Sequence, residues 1–230
     1  MHLSPARRAT SERVGNLGIL RLLSIAPGIP GAGGGDLPTA WVKMEPASIS
    51  GDAPTRPRVI EARHVMSKLA NFVWSIADQL RGPFRPNEYG DVILPMTILR
   101  RLDCIMAPTR DVAWDIAERD LRDELRDAMI KKQTGLNFWN TSRMTFARLV
   151  SDPDGLRSNL VDFISGFSEN IDVFERFDFE KVIHRMAEKD RLLLVVQKFA
   201  ELDLHPSSVN NAEMGDLFEE LIRKFAEASN

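Results

Sequence analysis

The stretch Pro86–Met106, PNEYGDVILPMTILRRLDCIM, places apolar side chains over more than half of a helical wheel. The remaining polar residues share one sector: Thr97, Arg100, Arg101 and Cys104. Because a helix with so wide an apolar arc is buried on most sides, the sequence predicts a central helix surrounded by others. Pro95 predicts a kink or a break near Leu94, since proline lacks the N–H that a helix needs.

The composition is that of an ordinary soluble globular protein. Of 230 residues, 43% are hydrophobic and 27% charged, and the net charge of −3 provides no overall basic field for a freestanding DNA-binding protein. Cys104 is the only cysteine, which excludes an intrachain disulfide and fits a reducing compartment. No run approaches the roughly 18 apolar residues that span a bilayer. We therefore expect a cytoplasmic protein.

Residues 1–65 differ from the rest of the chain. They hold 8 of the 14 glycines and 7 of the 13 prolines. Both residue types oppose packing into a domain, so this segment is predicted to be a disordered tail. Its net charge of +3 leaves −6 for residues 66–230.

Helical periodicity continues through residues 66–230. A first helix is predicted from its Ser67 cap to Gly82, and a third, charged and lying on the surface, over Arg110–Lys132. The third helix has a thin apolar stripe that includes Val112 and Leu125, and Glu118 is placed to pair with Arg122. Shorter helices are predicted at Arg143–Val150, Leu156–Phe167, Glu169–Arg176, Phe179–Glu188, after Asp190 and from Asn210 onward.

Helix ends are marked by capping residues. Ser168, Asp178 and Asp190 are predicted N-caps, and Asn210 with Glu213 matches a capping box. The sequence shows neither a strand pattern nor an internal repeat. We therefore predict an all-α bundle of about eight or nine helices, preceded by the tail.

Six residues are candidate contacts to DNA or to another subunit: Arg100, Arg101, Lys131, Lys132, Trp139 and Asn140. The two arginines could instead pair with carboxylates of neighbouring helices, because charges near a core need partners. Trp139 could stack on a base or a partner, or anchor its loop to the core. The two lysines could touch DNA phosphate or form a solvated helix end.

No residues are assigned to catalysis, to cofactor binding or to metal binding. The four histidines lack metal-ligand spacing, and Cys104 has no histidine near it in sequence. The sequence contains neither a glycine-rich turn after a strand, as a nucleotide cofactor would need, nor a Pro-Pro-aromatic loop.

Several segments together resemble one known family. They are LANFVWSIADQLRGPF (Leu69–Phe84) with the Pro86–Met106 stretch, NFWNTS (Asn137–Ser142), FISGFSENIDVFERFDF (Phe163–Phe179) and Asp203–Asn230. In this order they resemble the start of the modification subunit of type I restriction–modification systems. Such subunits are adenine-specific DNA methyltransferases with a helical N-terminal domain.

The resemblance implies a role in subunit assembly and DNA enclosure. Its implied partners are the specificity and restriction subunits, a second modification subunit and double-stranded DNA. S-adenosylmethionine is the cofactor of the full-length family, but its site lies in a catalytic domain that would follow Asn230. We therefore expect that this chain alone is inactive and that its natural start is Met66. The alternatives are a freestanding helical interaction module or a truncated remnant that docks on the specificity subunit. An enzyme with a site of its own is the reading with least support.

Overall fold

The computed structural model describes residues 71–228, and within this range the chain forms ten α-helices, one short 3-10 helix (Pro86–Glu88) and no strand. The α-helices are α1 (described over 71–80), α2 (Tyr89–Met106), α3 (Arg110–Ala117), α4 (Asp123–Thr134), α5 (Phe146–Ser151), α6 (Leu156–Ser165), α7 (Val173–Arg176), α8 (Phe179–Glu188), α9 (Leu192–Ala200) and α10 (Asn211–Ala228). The all-α prediction is confirmed for these residues. The predicted tail, the start at Met66 and the Ser67 cap lie outside the described residues.

The central position of α2 is also confirmed. Fourteen of its eighteen residues are buried, and it packs against α8, α9 and α10. The same core takes side chains from other helices, among them Ile76 of α1, Phe146 of α5 and Leu160 of α6. Since each fully buried large apolar side chain contributes about 1.5–3 kcal/mol, this shared interior is the main source of stability.

The break predicted near Leu94 does not occur. The helix α2 runs unbroken through Pro95, which is itself buried. The Thr97 hydroxyl donates to the Ile93 carbonyl at 2.6 Å, one turn back along the same helix. Burial of α2 on several sides outweighs the cost of an internal proline, about 3 kcal/mol.

The predicted helix Arg110–Lys132 is two helices, because the chain turns between α3 and α4. In one continuous helix Ile116 and Ile130 would lie about 21 Å apart. Folding back joins them in a small cluster with Ala113 and Trp139. Of the predicted apolar stripe, Val112 and Leu125 are exposed, whereas Ile116, Leu121 and Met129 pack in this cluster. Glu118 accordingly pairs with Arg143 instead of Arg122.

Two of the capping predictions are confirmed and two are wrong. The Asn210 side chain accepts from the Glu213 N–H at 3.1 Å, and Glu213 accepts from the Asn210 N–H at 2.8 Å, which forms the predicted capping box. Asp178 stands at the predicted N-cap position of α8, but its side chain makes no capping hydrogen bond. However, the N-cap position is Asp172 in α7 and Arg191 in α9, and neither side chain makes a capping hydrogen bond. Ser168 and Asp190 are not N-caps, because the chain turns there and the helices α7 and α9 begin later, at Val173 and Leu192.

Candidate functional site

Arg101 has its guanidinium group inside the domain. The residue is 6% exposed. One terminal nitrogen donates to the carbonyls of Leu204 and Val209, and the other donates to Asn211 Oδ1 at 2.9 Å. Burial lowers the pKa of Arg101, because a low-dielectric surrounding disfavours its charged form. The residue therefore holds the connection between α9 and α10 against α2.

Arg100 binds the neighbouring part of the same connection. Its Nε donates to the Leu202 carbonyl at 2.7 Å, and it pairs with Asp103 at 2.8 Å. Asp103 also binds Arg110. Burial raises the pKa of Asp103, and the two guanidinium groups offset this effect in part. The acceptors of Arg100 and Arg101 are thus mainly backbone carbonyls, with one carboxylate on α2 itself, and their contact to DNA or to a subunit stays a prediction.

Trp139 and Asn140 fasten the loop after α4 to the core. The Trp139 backbone N–H donates to Ser168 Oγ at 3.2 Å, and the residue is 7% exposed among α3 and α4 side chains. Asn140 donates through Nδ2 to the Phe163 carbonyl at 2.7 Å, and its Oδ1 accepts from the Ser142 N–H at 2.7 Å. These contacts match the loop-anchoring interpretation of the aromatic residue.

Lys131 and Lys132 are exposed at the end of α4. The Nζ of Lys131 lies 5.4 Å from the centroid of a Trp139 ring, within the range of a cation–π contact. Of the six candidates, these two lysines have the charged groups most accessible to an anion.

A cluster of arginines around Trp114 was not predicted from the sequence. The indole N–H of Trp114 donates to the Ser142 carbonyl at 2.9 Å. Guanidinium carbons lie 5.8 Å (Arg110), 5.0 Å (Arg143) and 5.2 Å (Arg148) from its ring. Within the described residues Arg148 has no carboxylate partner, whereas Arg110 pairs with Asp103 and Arg143 with Glu118. No periodic pattern links residue 114 with residues 143 and 148, so only the fold reveals the cluster.

The titratable residues of the described region do not assemble into a reactive centre. Cys104 is buried, and burial raises the pKa of its thiol. His205 Nδ1 lies 2.7 Å from Ser207 Oγ, but the Ser207 N–H bonds to the same nitrogen, and Asp203 bonds to the backbone N–H of His205. This arrangement is a turn. Among residues 71–228, no three His, Cys, Asp or Glu side chains converge as metal ligands. Each helix in that range is too short or too polar to traverse a bilayer.

Comparison with known proteins identifies the domain. A family model described as the HsdM N-terminal domain matches residues 69–199, more than half of the 230 residues. Searches of curated proteins and of solved structures give no match. The matched range covers α1 to α8 and nearly all of α9, including the Trp114 cluster and the central helix. The chain therefore belongs to the HsdM N-terminal domain family, the N-terminal domains of type I restriction–modification modification subunits.

Proposed function

We propose that this domain acts in subunit assembly and DNA enclosure within a type I restriction–modification complex, and not in methyl transfer itself. The observation that carries the proposal is the family match over residues 69–199. The proposed partners are the specificity and restriction subunits, a second modification subunit and double-stranded DNA, in the cytoplasm. Adenine specificity and S-adenosylmethionine binding would belong to the catalytic domain of the family.

Charge along the described chain supports a division of surfaces. Residues 71–157 carry thirteen basic and thirteen acidic side chains, whereas residues 158–228 carry eight basic and fifteen acidic ones. The net charge of −7 on residues 158–228 repels the phosphate backbone of DNA, so DNA is expected to approach residues 71–157.

We assign contact with the DNA phosphate backbone to Arg143 and Arg148, with Lys131 and Lys132 as further contacts. The Trp114 ring holds both guanidinium groups by cation–π contact, which limits the side-chain freedom lost on binding. Within the described residues the Arg148 guanidinium donates only to the Arg143 carbonyl, so its other N–H groups can reach a phosphate oxygen. In this proposal Arg100, Arg101, Trp139 and Asn140 act through the fold by supporting these surfaces.

The test is co-elution of the chain with the specificity subunit of its own system, followed by titration of the complex with a short DNA duplex at several salt concentrations. Replacing Arg143 and Arg148 by glutamine should lower the slope of log K against log salt by about 1–2, since each lost phosphate contact removes about 0.9. The control variant carries Lys189→Gln and Lys198→Gln in the acidic part and should keep the slope. A chain that fails to co-elute contradicts the assembly role. A complex with unchanged slope in the arginine variant contradicts the assigned DNA contact.

A further inference from the structure

An open groove of about 690 Å³ is formed by α6, α7, the start of α8 and the connection between α6 and α7. Apolar side chains form its floor, among them Ile164, Phe167, Phe174 and Phe179. Five carboxylates line it: Glu169, Asp172, Glu175, Asp178 and Glu180. None of its described lining residues is a lysine or an arginine. The groove therefore combines an apolar floor with an acidic rim.

The floor is fixed in shape by the core beneath it. The Phe167 ring stacks on Phe163 at 5.8 Å and packs against Phe174 at 5.5 Å, and Phe174 packs against Phe179 at 6.1 Å. Phe163 and Phe179 are fully buried members of the main core. Because the rings are held from below, an apolar side chain could dock on Ile164 and Phe167 with little rearrangement of the domain.

The rim keeps a negative charge. Asp172 pairs with Arg176, Asp178 with Lys181, and Glu180 lies 3.5 Å from His184. These are exposed pairs between neighbours in sequence, and such pairs contribute little and exchange readily. Glu169 and Glu175 have no ion-pair partner among the described residues. The five carboxylates outnumber the cationic groups beside them, and this excess of negative charge attracts a cation from outside.

We infer that this groove, which we call the acidic groove, binds a segment of a partner subunit that presents lysine or arginine beside apolar side chains. The apolar floor suits a peptide segment better than a bare cation, and the carboxylates repel nucleic acid. The inference rests on the proposed assembly function and names the chemistry of one docking surface.

The first experiment measures binding of the full chain to a fluorescent amphipathic peptide of alternating lysine and leucine pairs. A matched peptide with glutamate in place of lysine serves as the comparison. The lysine peptide should bind and the glutamate peptide should not. Glu169→Gln, Glu175→Gln and Glu180→Gln combined should weaken binding about tenfold, as expected for three partly screened charges. A matched triple outside the groove (Glu188→Gln, Glu201→Gln, Glu219→Gln) should change affinity less than twofold. Equal losses in both triples would overturn the inference, since any acidic surface would then suffice.

A second experiment separates this inference from the proposed function. The groove triple and Ile164→Ser, each checked for an unchanged thermal melt, are co-eluted with each purified partner subunit. Loss of one partner's co-elution in both variants supports the inference. Retention of every partner by both variants overturns it while leaving the assembly role intact. Failure of the unmodified chain to co-elute contradicts the assembly role itself. A self-association of the chain that both variants abolish would make a second copy the occupant, and would also overturn the inference.

Discussion

At the scale of single residues, Arg101 shows how strongly this interior depends on one polar group. Its donors meet two carbonyls and a side-chain oxygen of the connection that leads into α10. An apolar replacement would leave the buried carbonyls of Leu204 and Val209 without these donors, and unpaired buried groups are costly.

Arg101→Met should therefore lower the free energy of unfolding by about 3 kcal/mol, the range expected when charged hydrogen bonds to buried groups are lost. Urea denaturation followed by circular dichroism measures the change. Arg119→Met, at an exposed position, is the control and should stay within about 0.5 kcal/mol of the unmodified chain. An equally small effect at Arg101 would show that water can replace the guanidinium group.

Gly166 is required because the chain approaches itself closely there. A Cβ at this position would lie 2.5 Å from Asn140 Oδ1 and 2.8 Å from the Ser142 backbone nitrogen. Gly166→Ala should cost about 2 kcal/mol through forced displacement of the Asn140 loop. In contrast, Gly215→Ala should stabilise by about 0.5–1 kcal/mol, since Gly215 lies inside α10 with nothing within 4 Å of the added carbon. Thermal melts of both variants test the two predictions. A change of melting temperature in the same direction for both variants would contradict this account.

Glu88 should make stability dependent on pH. Two Arg185 nitrogens each donate to it at 2.9 Å, and these hydrogen bonds hold the pKa of Glu88 at about 2, below its ordinary 4.5. A lowered carboxyl pKa stabilises the fold fully above pH 4.5, and the contribution disappears as the pH falls towards 2. Because Arg185 is 41% exposed, we expect Glu88→Gln to cost only about 1 kcal/mol at pH 7. Urea titrations between pH 7 and pH 2 should show the two proteins converging, and a constant gap would rule out this linkage.

At the scale of elements, local patterns predicted what depends on neighbours within four residues. The wide apolar arc of α2, the N-cap position at Asp178 and the Asn210–Glu213 capping box all follow from such local patterns. The turn between α3 and α4 does not, because it is favoured by contacts that Ile116 and Ile130 make only after the chain folds back. The unbroken passage of α2 through Pro95 is likewise an effect of tertiary packing.

The Asn210 cap offers a test at this scale. Its Oδ1 accepts from the N–H groups of Ala212 at 2.9 Å and Glu213 at 3.1 Å. These N–H groups lie in the first turn of α10 and have no acceptor within the helix. Asn210→Ala should lower the free energy of unfolding by about 1 kcal/mol. Glu219→Gln, on the exposed face of the same helix, is the matched control and should leave urea denaturation almost unchanged. Equal effects at the two positions would mean that capping is not the cause.

At the scale of the whole molecule, the described residues have one large core and one small one. The small cluster has four buried residues (Ala113, Ile116, Ile130 and Trp139), with Leu121 and Met129 packed against them, whereas the large core takes residues from α1, α2 and α5–α10. The sequence predicted the large core through α2, but it revealed neither the small cluster, the arginines around Trp114, nor the acidic groove. Each of these unites residues from separate elements, so no periodic pattern in the sequence predicts it.

The difference in size between the two cores predicts unequal local stability. Amide protons of α3 and α4 should exchange with solvent through an opening that leaves α2 and α9 protected, because few buried apolar contacts hold the pair. Native-state hydrogen exchange followed by mass spectrometry measures this. Equal protection of α4 and α9 would instead indicate that the described domain opens as one unit.

The bonds of Arg101 have a consequence for the order of folding. They join positions 103 to 110 residues apart, so the loop between them must close before the guanidinium group finds its acceptors. During synthesis, α2 leaves the ribosome long before residues 204–211 exist. A nascent chain that ends near residue 200 would have to bury an unpaired charge or leave its centre open. We therefore expect the interior to close only after the start of α10 has left the ribosome, and until then the apolar surface of α2 stays available to chaperones.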